Sequence, residues 1–95
     1  MNLEKLREEM DKLDKEILSL IAQRQKCVEK VALVKNNKDL VVDKKRIEEV
    51  IRRVKRLSKE KGLSEKIAES LWRKLIELSI DHEYEILKNQ ERKEV

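Results

Sequence analysis

The chain has 95 residues, of which 46% are charged and 39% are hydrophobic, and it contains no proline and one glycine. This length allows one small domain with a modest core, so we expect chains to associate. The composition favours long helices with solvated outer faces over a β-rich fold. The apolar runs are too short for a membrane span, and the N-terminus lacks the apolar core of a signal peptide, so we expect a cytoplasmic protein.

The charge pattern argues against nucleic acid as a partner. The formal net charge is +4, but basic and acidic residues are interleaved along most of the chain. The sequence has no long basic stripe, and its aromatic residues are limited to Trp72 and Tyr84, which cannot form a platform for stacking bases. A single cysteine excludes an internal disulfide and gives no metal-binding cluster.

The first predicted helix runs from about residue 3 to about residue 36 and is roughly 50 Å long. Its apolar residues alternate spacings of three and four, as in helices that pack along an inward seam. The inward positions are Leu3, Leu6, Met10, Leu13, Ile17, Leu20, Arg24, Cys27, Val31 and Val34. Arg24 interrupts this apolar series. A buried guanidinium needs an anionic partner, either a protein carboxylate or a bound ligand.

The second predicted helix covers about residues 44–61. It follows a short extended segment at residues 40–42, and Asp43 is placed to cap its start. Gly62 is a favourable left-handed stop at its end. Its inward positions are Ile47, Val50, Ile51, Val54 and Leu57.

The third predicted helix starts with Ser64 as its cap and continues to about residue 88. Its inward positions are Ile67, Ala68, Leu71, Trp72, Leu75, Ile76, Ser79, Glu83, Ile86 and Leu87. Ser79 and Glu83 interrupt the stripe four residues apart and therefore share one face. We expect the charged tail, residues 89–95, to fray. The sequence thus predicts an all-α fold with three helices in a single domain, residues 1–95.

Several polar residues on these helices favour binding of a small anion. Arg24 and Lys35 are separated by eleven residues, so they point in nearly the same direction about 16 Å apart along the helix axis. Arg46 lies in the first turn of the second helix, where backbone N–H groups also favour an anion. Arg7 is about 25 Å from Arg24 on the same helix, so it can join one site only from a second chain.

Each of these residues also has a structural interpretation. Arg24 can form an interhelical ion pair with Glu83, and Lys35 is favourable near a helix C-terminus. Asp43 can serve only as a cap, and the other two arginines can be solvated surface residues. We interpret three further residues as packing or surface positions without a catalytic role, namely Cys27, Trp72 and His82.

The order of these residues resembles the all-α class of chorismate mutases over about residues 3–88. The resemblance rests on the short segments 6–8, 13–14, 21–24, 31–35, 42–46 and 75–77, together with Ser79 and Glu83. It implies an intertwined homodimer whose two sites are each completed by Arg7 of the other chain. It further implies conversion of chorismate to prephenate, a unimolecular [3,3] rearrangement in phenylalanine and tyrosine biosynthesis that requires no cofactor.

The same resemblance assigns roles within the site. The expected substrate-binding residues are Arg7, Arg24, Lys35, Asp43, Arg46, Ile47, Ser79 and Glu83. The three arginines are expected to hold the carboxylates, and Asp43 helps to position the ring hydroxyl, while Ser79 lines the pocket. Lys35 and Glu83 are expected to face the ether oxygen from opposite sides, which makes them catalytic together with Arg24. Fixed cations suit a reaction that needs a compact conformer and stabilisation of developing negative charge.

Two positions depart from the family pattern. Glu83 replaces a glutamine and can donate to the ether oxygen only when protonated, so we expect activity to fall as the pH rises. Ile47 replaces a glutamate that accepts a hydrogen bond from the substrate hydroxyl. Related isochorismate pyruvate-lyases also have an aliphatic residue there, which makes this salicylate-forming activity an alternative. A further alternative, a non-catalytic helical dimer, explains the heptad spacing but leaves the inward polar residues unexplained.

Overall fold

The computed structural model describes residues 2–93 and confirms the predicted all-α fold. Helix α1 spans Leu3–Lys35, α2 spans Lys44–Lys61 and α3 spans Glu65–Lys93, with a 3-10 turn at Lys38–Leu40 between the first two. Both α1 and α2 pack against α3, and the chain is elongated, with dimensions of 59 × 27 × 15 Å. Within the described part of the chain, no helix has the length and apolarity needed to cross a membrane.

Local capping fixes where α2 starts and ends and where α3 begins. The Asp43 carboxylate accepts a hydrogen bond from the Arg46 backbone N–H at 3.0 Å, and the Ser64 hydroxyl accepts one from the Ile67 N–H at 3.3 Å. Gly62 ends α2 with φ of 76°, a left-handed conformation that glycine adopts without a Cβ penalty. The three predicted signals at these ends are therefore confirmed.

The connection after α1 was predicted to be extended at residues 40–42, and residues 40 and 41 are not extended. The Asn37 side chain accepts a hydrogen bond from the Asp39 N–H at 2.8 Å, which closes the chain into the 3-10 turn instead. Val41 continues from this turn in a helical conformation, with φ of −64°, and its side chain is buried. The prediction is wrong here because burial of Val41 and the local hydrogen bond favour a tight turn.

Helix α3 extends five residues beyond its predicted end. The prediction of fraying is wrong for residues 89–93, which are helical, while residues 94 and 95 lie outside the described residues. Burial of Leu87 and an ion pair between Lys38 and Glu91 at 3.2 Å hold this end against the 3-10 turn. The basic residues of the last turn also interact favourably with the helix dipole.

The core lies at the C-terminal half of α1. Ala32, Val41 and Leu87 form a buried cluster against which Ile80 and Ile86 pack. The α1 residues that turn toward the other helices at this end are Arg24, Val28, Glu29, Ala32 and Lys35, all buried or half-buried. Of the predicted inward positions at this end, Arg24 is half-buried, Cys27 and Val31 are exposed within the single chain, and Val34 is 86% exposed.

The N-terminal half of α1 keeps its apolar stripe exposed within one chain. Large apolar side chains more than a third exposed in this half include Leu3, Leu6, Met10, Leu13, Ile17 and Leu20. On α3, Ile67 and Leu71 are also exposed although their spacing predicts inward positions. Burial of these side chains therefore requires a surface outside the single chain.

Candidate active site

The main cavity lies where the C-terminal half of α1, the start of α2 and the second half of α3 meet. It has a volume of about 330 Å³, within the range typical of small-molecule sites. Its polar lining residues are Arg24, Lys35, Asp43, Arg46, Ser79 and Glu83, and its other lining residues are Cys27, Val28, Val31, Val41, Ile47, Val50, Ile76 and Ile80. Seven of the eight expected site residues thus surround one cavity.

Arg24 reaches from α1 to α3 and is held by a hydroxyl group. Its Nη1 donates a hydrogen bond to Ser79 Oγ at 2.7 Å, and the Ser79 hydroxyl donates to the Leu75 carbonyl at 2.7 Å. Desolvation by burial lowers the pKa of the Arg24 guanidinium from its usual value. Across residues 2–93, no carboxylate lies within 4.0 Å of this guanidinium. The cation therefore faces the cavity without a protein counter-ion.

Lys35 and Glu83 form the ion pair of the cavity. Lys35 Nζ lies 3.2 Å from Glu83 Oε1 and also donates a hydrogen bond to the Val41 carbonyl at 3.1 Å. The ion pair considered for Arg24 therefore forms with Lys35 instead. A lysine ammonium has three N–H donors, so one donor of Lys35 is left for a ligand.

The start of α2 supplies the third cation of the cavity. Arg46 is exposed, and its nearest carboxylate partner is Glu49, at 3.9 Å, a separation too long for a hydrogen bond. Asp43 caps the helix through the Arg46 N–H, so its capping role is shown, and its side chain also lines the cavity. The formal charges of the lining residues are three positive and two negative, which gives 3 − 2 = +1.

The other residues that line the cavity are mostly apolar, and the sequence pattern did not predict all of them as inward positions. Ile47, Val50 and Ile76 follow from the predicted stripes, whereas Val28, Val41 and Ile80 lie outside them. Cys27 also lines the cavity, although its position on the seam predicted only packing. A period-based pattern cannot separate an apolar side chain that lines a cavity from one that fills a core.

Arg7 is not part of this cavity. It lies on the exposed N-terminal half of α1, seventeen residues and about 25 Å before Arg24. Within the described chain, no carboxylate forms a salt bridge with it. The same described residues contain no group of three or more His, Cys, Asp or Glu side chains arranged to hold a metal ion.

Comparison with protein families identifies one that fits this cavity. The sequence profile of "Chorismate mutase type II" matches residues 6–84, a range that includes α2, most of α1 and α3, and every expected site residue. A comparison with curated proteins finds no match. Because the profile matches most of the chain, the chain belongs to the chorismate mutase type II family of isomerases.

Proposed function

We propose that this protein converts chorismate to prephenate by a unimolecular [3,3] rearrangement. The observation that carries the proposal is the convergence of Arg24, Lys35 and Arg46 on one cavity of about 330 Å³ with an apolar wall. Chorismate is a small dicarboxylate with an apolar ring edge, so fixed cations and aliphatic side chains match its chemistry. Holding it in the compact reactive conformer lowers the entropic part of the barrier.

The two arginines are the proposed carboxylate ligands. Arg24 is fixed by Ser79 through one nitrogen, and the rest of its planar guanidinium remains to bind a carboxylate in two-pronged fashion. Desolvation of this group makes an anionic ligand favourable, because the ligand restores the interactions that burial removed. Arg46 is less restrained, and the backbone N–H groups at the start of α2 add to its attraction for an anion.

Lys35 and Glu83 are the proposed partners of the ether oxygen, on which negative charge builds as the C–O bond breaks. The remaining N–H donor of Lys35 can reach this oxygen while the Val41 carbonyl holds the ammonium in place. Preorganised donors of this kind stabilise the transition state more than the ground state. Glu83 donates from the opposite side only when it carries a proton, and proton uptake also raises the formal charge of the cavity from +1 to +2.

We propose further that the active form is a homodimer in which Arg7 of the partner completes each site. The exposed apolar stripe of α1 supports association, since a single chain of this size leaves it in water. The 25 Å separation between Arg7 and Arg24 supports contribution from the other chain. A partner arginine would bring a second net positive charge to a site that binds a dianion.

Isochorismate pyruvate-lyase activity is the second candidate, and Ile47 is the observation that favours it. This half-buried side chain lines the cavity and offers no acceptor to a ring hydroxyl, which weakens discrimination between ring isomers. The match of residues 6–84 to the chorismate mutase type II profile favours the mutase over the lyase. The polar lining of the cavity argues against a purely structural helical dimer.

The experiment that separates these functions supplies the purified protein with chorismate and isochorismate in parallel. Mutase activity consumes chorismate and yields prephenate, which acid converts to phenylpyruvate. Lyase activity consumes isochorismate and yields fluorescent salicylate. We expect enzymatic prephenate formation with little or no salicylate. Salicylate formation without prephenate would overturn the assignment in favour of the lyase, and inactivity toward both substrates would favour the non-catalytic dimer.

A further inference from the structure

A polar contact between α1 and α3 lies near the proposed active site but outside its cavity. His82 Nε2 lies 2.6 Å from Glu29 Oε2, and the two side chains are 28% and 34% exposed. Glu85, on the same helix as His82, is more distant, with its carboxylate 3.8 Å from His82 Nδ1. Neither His82 nor Glu29 lines the main cavity. The contact therefore joins the two helices without facing the substrate.

The position of this pair along the helices connects it to the cavity residues. Glu29 lies on α1 between Arg24 and Lys35, and His82 lies on α3 between Ser79 and Glu83. Each side of the pair is thus within two helical turns of two polar cavity residues. Arg24 and Lys35 contact Ser79 and Glu83 respectively, so the pair stands between two cross-helix contacts of the site.

A second cavity lies beside the Arg24–Ser79 contact, and His82 is one of its lining residues. This cavity has a volume of about 150 Å³ and is lined by His82, Gln25 and Leu78 among others. Arg24 and Ser79 line both cavities, so their hydrogen bond lies between the two spaces. Among the residues that line this second cavity, His82 and Arg24 are the ionisable ones.

The contact joins the two helices directly. His82 Nε2 and Glu29 Oε2 are within hydrogen-bond distance, at 2.6 Å, and the carboxylate is the acceptor. The hydrogen bond from His82 is the largest cause that lowers the pKa of the Glu29 carboxyl. A short bond that favours the ionised carboxylate holds α1 and α3 in one register at this level.

We infer that His82 and Glu29 are positioning residues, which hold the turn of α3 carrying Ser79 and Glu83 against the segment of α1 carrying Arg24 and Lys35. This inference rests on the proposed function. A small rotation of α3 would move Glu83 relative to Lys35 and Ser79 relative to Arg24, while the two cations themselves would stay in place on α1. Loss of the pair should therefore affect the chemical step more than substrate binding.

The test measures kcat, KM and Tm for His82→Ala, Glu29→Ala, the double variant and Glu29→Gln. We expect kcat to fall about three- to tenfold in each alanine variant, with KM within about twofold of wild type. The double variant should lose no more than either single variant, because both remove the same contact. Glu29→Gln keeps an oxygen acceptor and should remain within about twofold of wild-type kcat.

Glu69→Ala provides the matched control. Glu69 on α3 also joins two helices, through its contact with Lys55 on α2, but it lies ten residues before Ser79 and does not line the main cavity. We expect it to lower Tm without lowering kcat. The positioning role alone would be overturned if the wild type is active and His82→Ala has the same kcat. It would also be overturned if Glu69→Ala loses as much kcat as His82→Ala. An inactive wild type would overturn the proposed function and the positioning role together.

Discussion

Arg24 is the residue that links the sequence most directly to the chemistry. Its place in an apolar stripe indicates an anionic partner, and the structure gives it a hydroxyl partner and a cavity instead of a carboxylate. Sequence periodicity could predict its inward position but could not choose between Glu83 and a ligand. That choice depends on side-chain reach across α1 and α3, which spacing does not contain.

Substitution of Arg24 separates a ligand-binding role from a structural one. We expect Arg24→Ala to lower kcat/KM by about a hundredfold or more, because it removes a fixed cation from the transition state. Tm should change little, since the substitution leaves no protein carboxylate without its partner. Arg56→Ala, which removes an exposed cation outside the cavity, should leave kcat/KM near the wild-type value. A large loss of Tm with retained activity would contradict the proposed role.

Substitution of Glu83 tests the proposed donor to the ether oxygen. Wild-type activity should be highest at the acidic end of the measured pH range and fall with rising pH, because a carboxylate cannot donate a hydrogen bond. Glu83→Gln carries an N–H donor at every pH, so its profile should be nearly flat over the same range. Initial rates at saturating chorismate measure both profiles. A flat wild-type profile would show that Glu83 is not the donor.

The helices themselves were largely predictable because their signals are local. Asp43, Gly62 and Ser64 fix the ends around α2 through their own side chain or backbone conformation. The 3-10 turn at Lys38–Leu40 and the helical residues 89–93 were missed. The helical residues 89–93 depend on contacts with the turn, including the Lys38–Glu91 ion pair, and the turn depends in part on burial of Val41; no window of sequence reveals either contact.

The contact between α2 and α3 should make the stability of the protein sensitive to acid. Arg73 donates hydrogen bonds to Glu48 and Glu69, and these bonds hold the pKa of both carboxyls below the usual value of 4.5. A carboxyl whose pKa is lowered by folding stabilises the folded state above its usual pKa. This contribution is lost as the pH falls through the lowered pKa.

Arg73→Ala measures this contribution. The variant should melt a few degrees below wild type at neutral pH, and the difference should narrow as the pH is reduced below about 4.5. The exposure of these side chains keeps the expected difference small. Arg56→Ala should show no comparable pH dependence. A Tm difference between Arg73→Ala and wild type that stays constant down to about pH 3 would contradict the assignment.

At the scale of the whole molecule, the exposed stripe on α1 supports the proposed dimer. The chain has a mass of 11.4 kDa, so light scattering should give about 2 × 11.4 = 22.8 kDa. Leu13→Glu places a charge on the stripe and should shift the protein toward monomer at micromolar concentration. Lys15→Glu changes an exposed position two residues away and should leave the mass unchanged. A wild-type mass of one chain would contradict the proposed dimer.

The proposed chorismate-rearranging site combines Arg24 of one chain with Arg7 of the other, and mixing two inactive variants tests this arrangement most directly. Arg7→Ala and Arg24→Ala are unfolded and refolded together, and chorismate turnover is compared with that of each variant alone. Each hybrid dimer has one intact site, so random pairing should restore about a quarter of wild-type activity. A mixture containing hybrid dimers but no more active than the separate variants would contradict the account, as would full activity of Arg7→Ala alone.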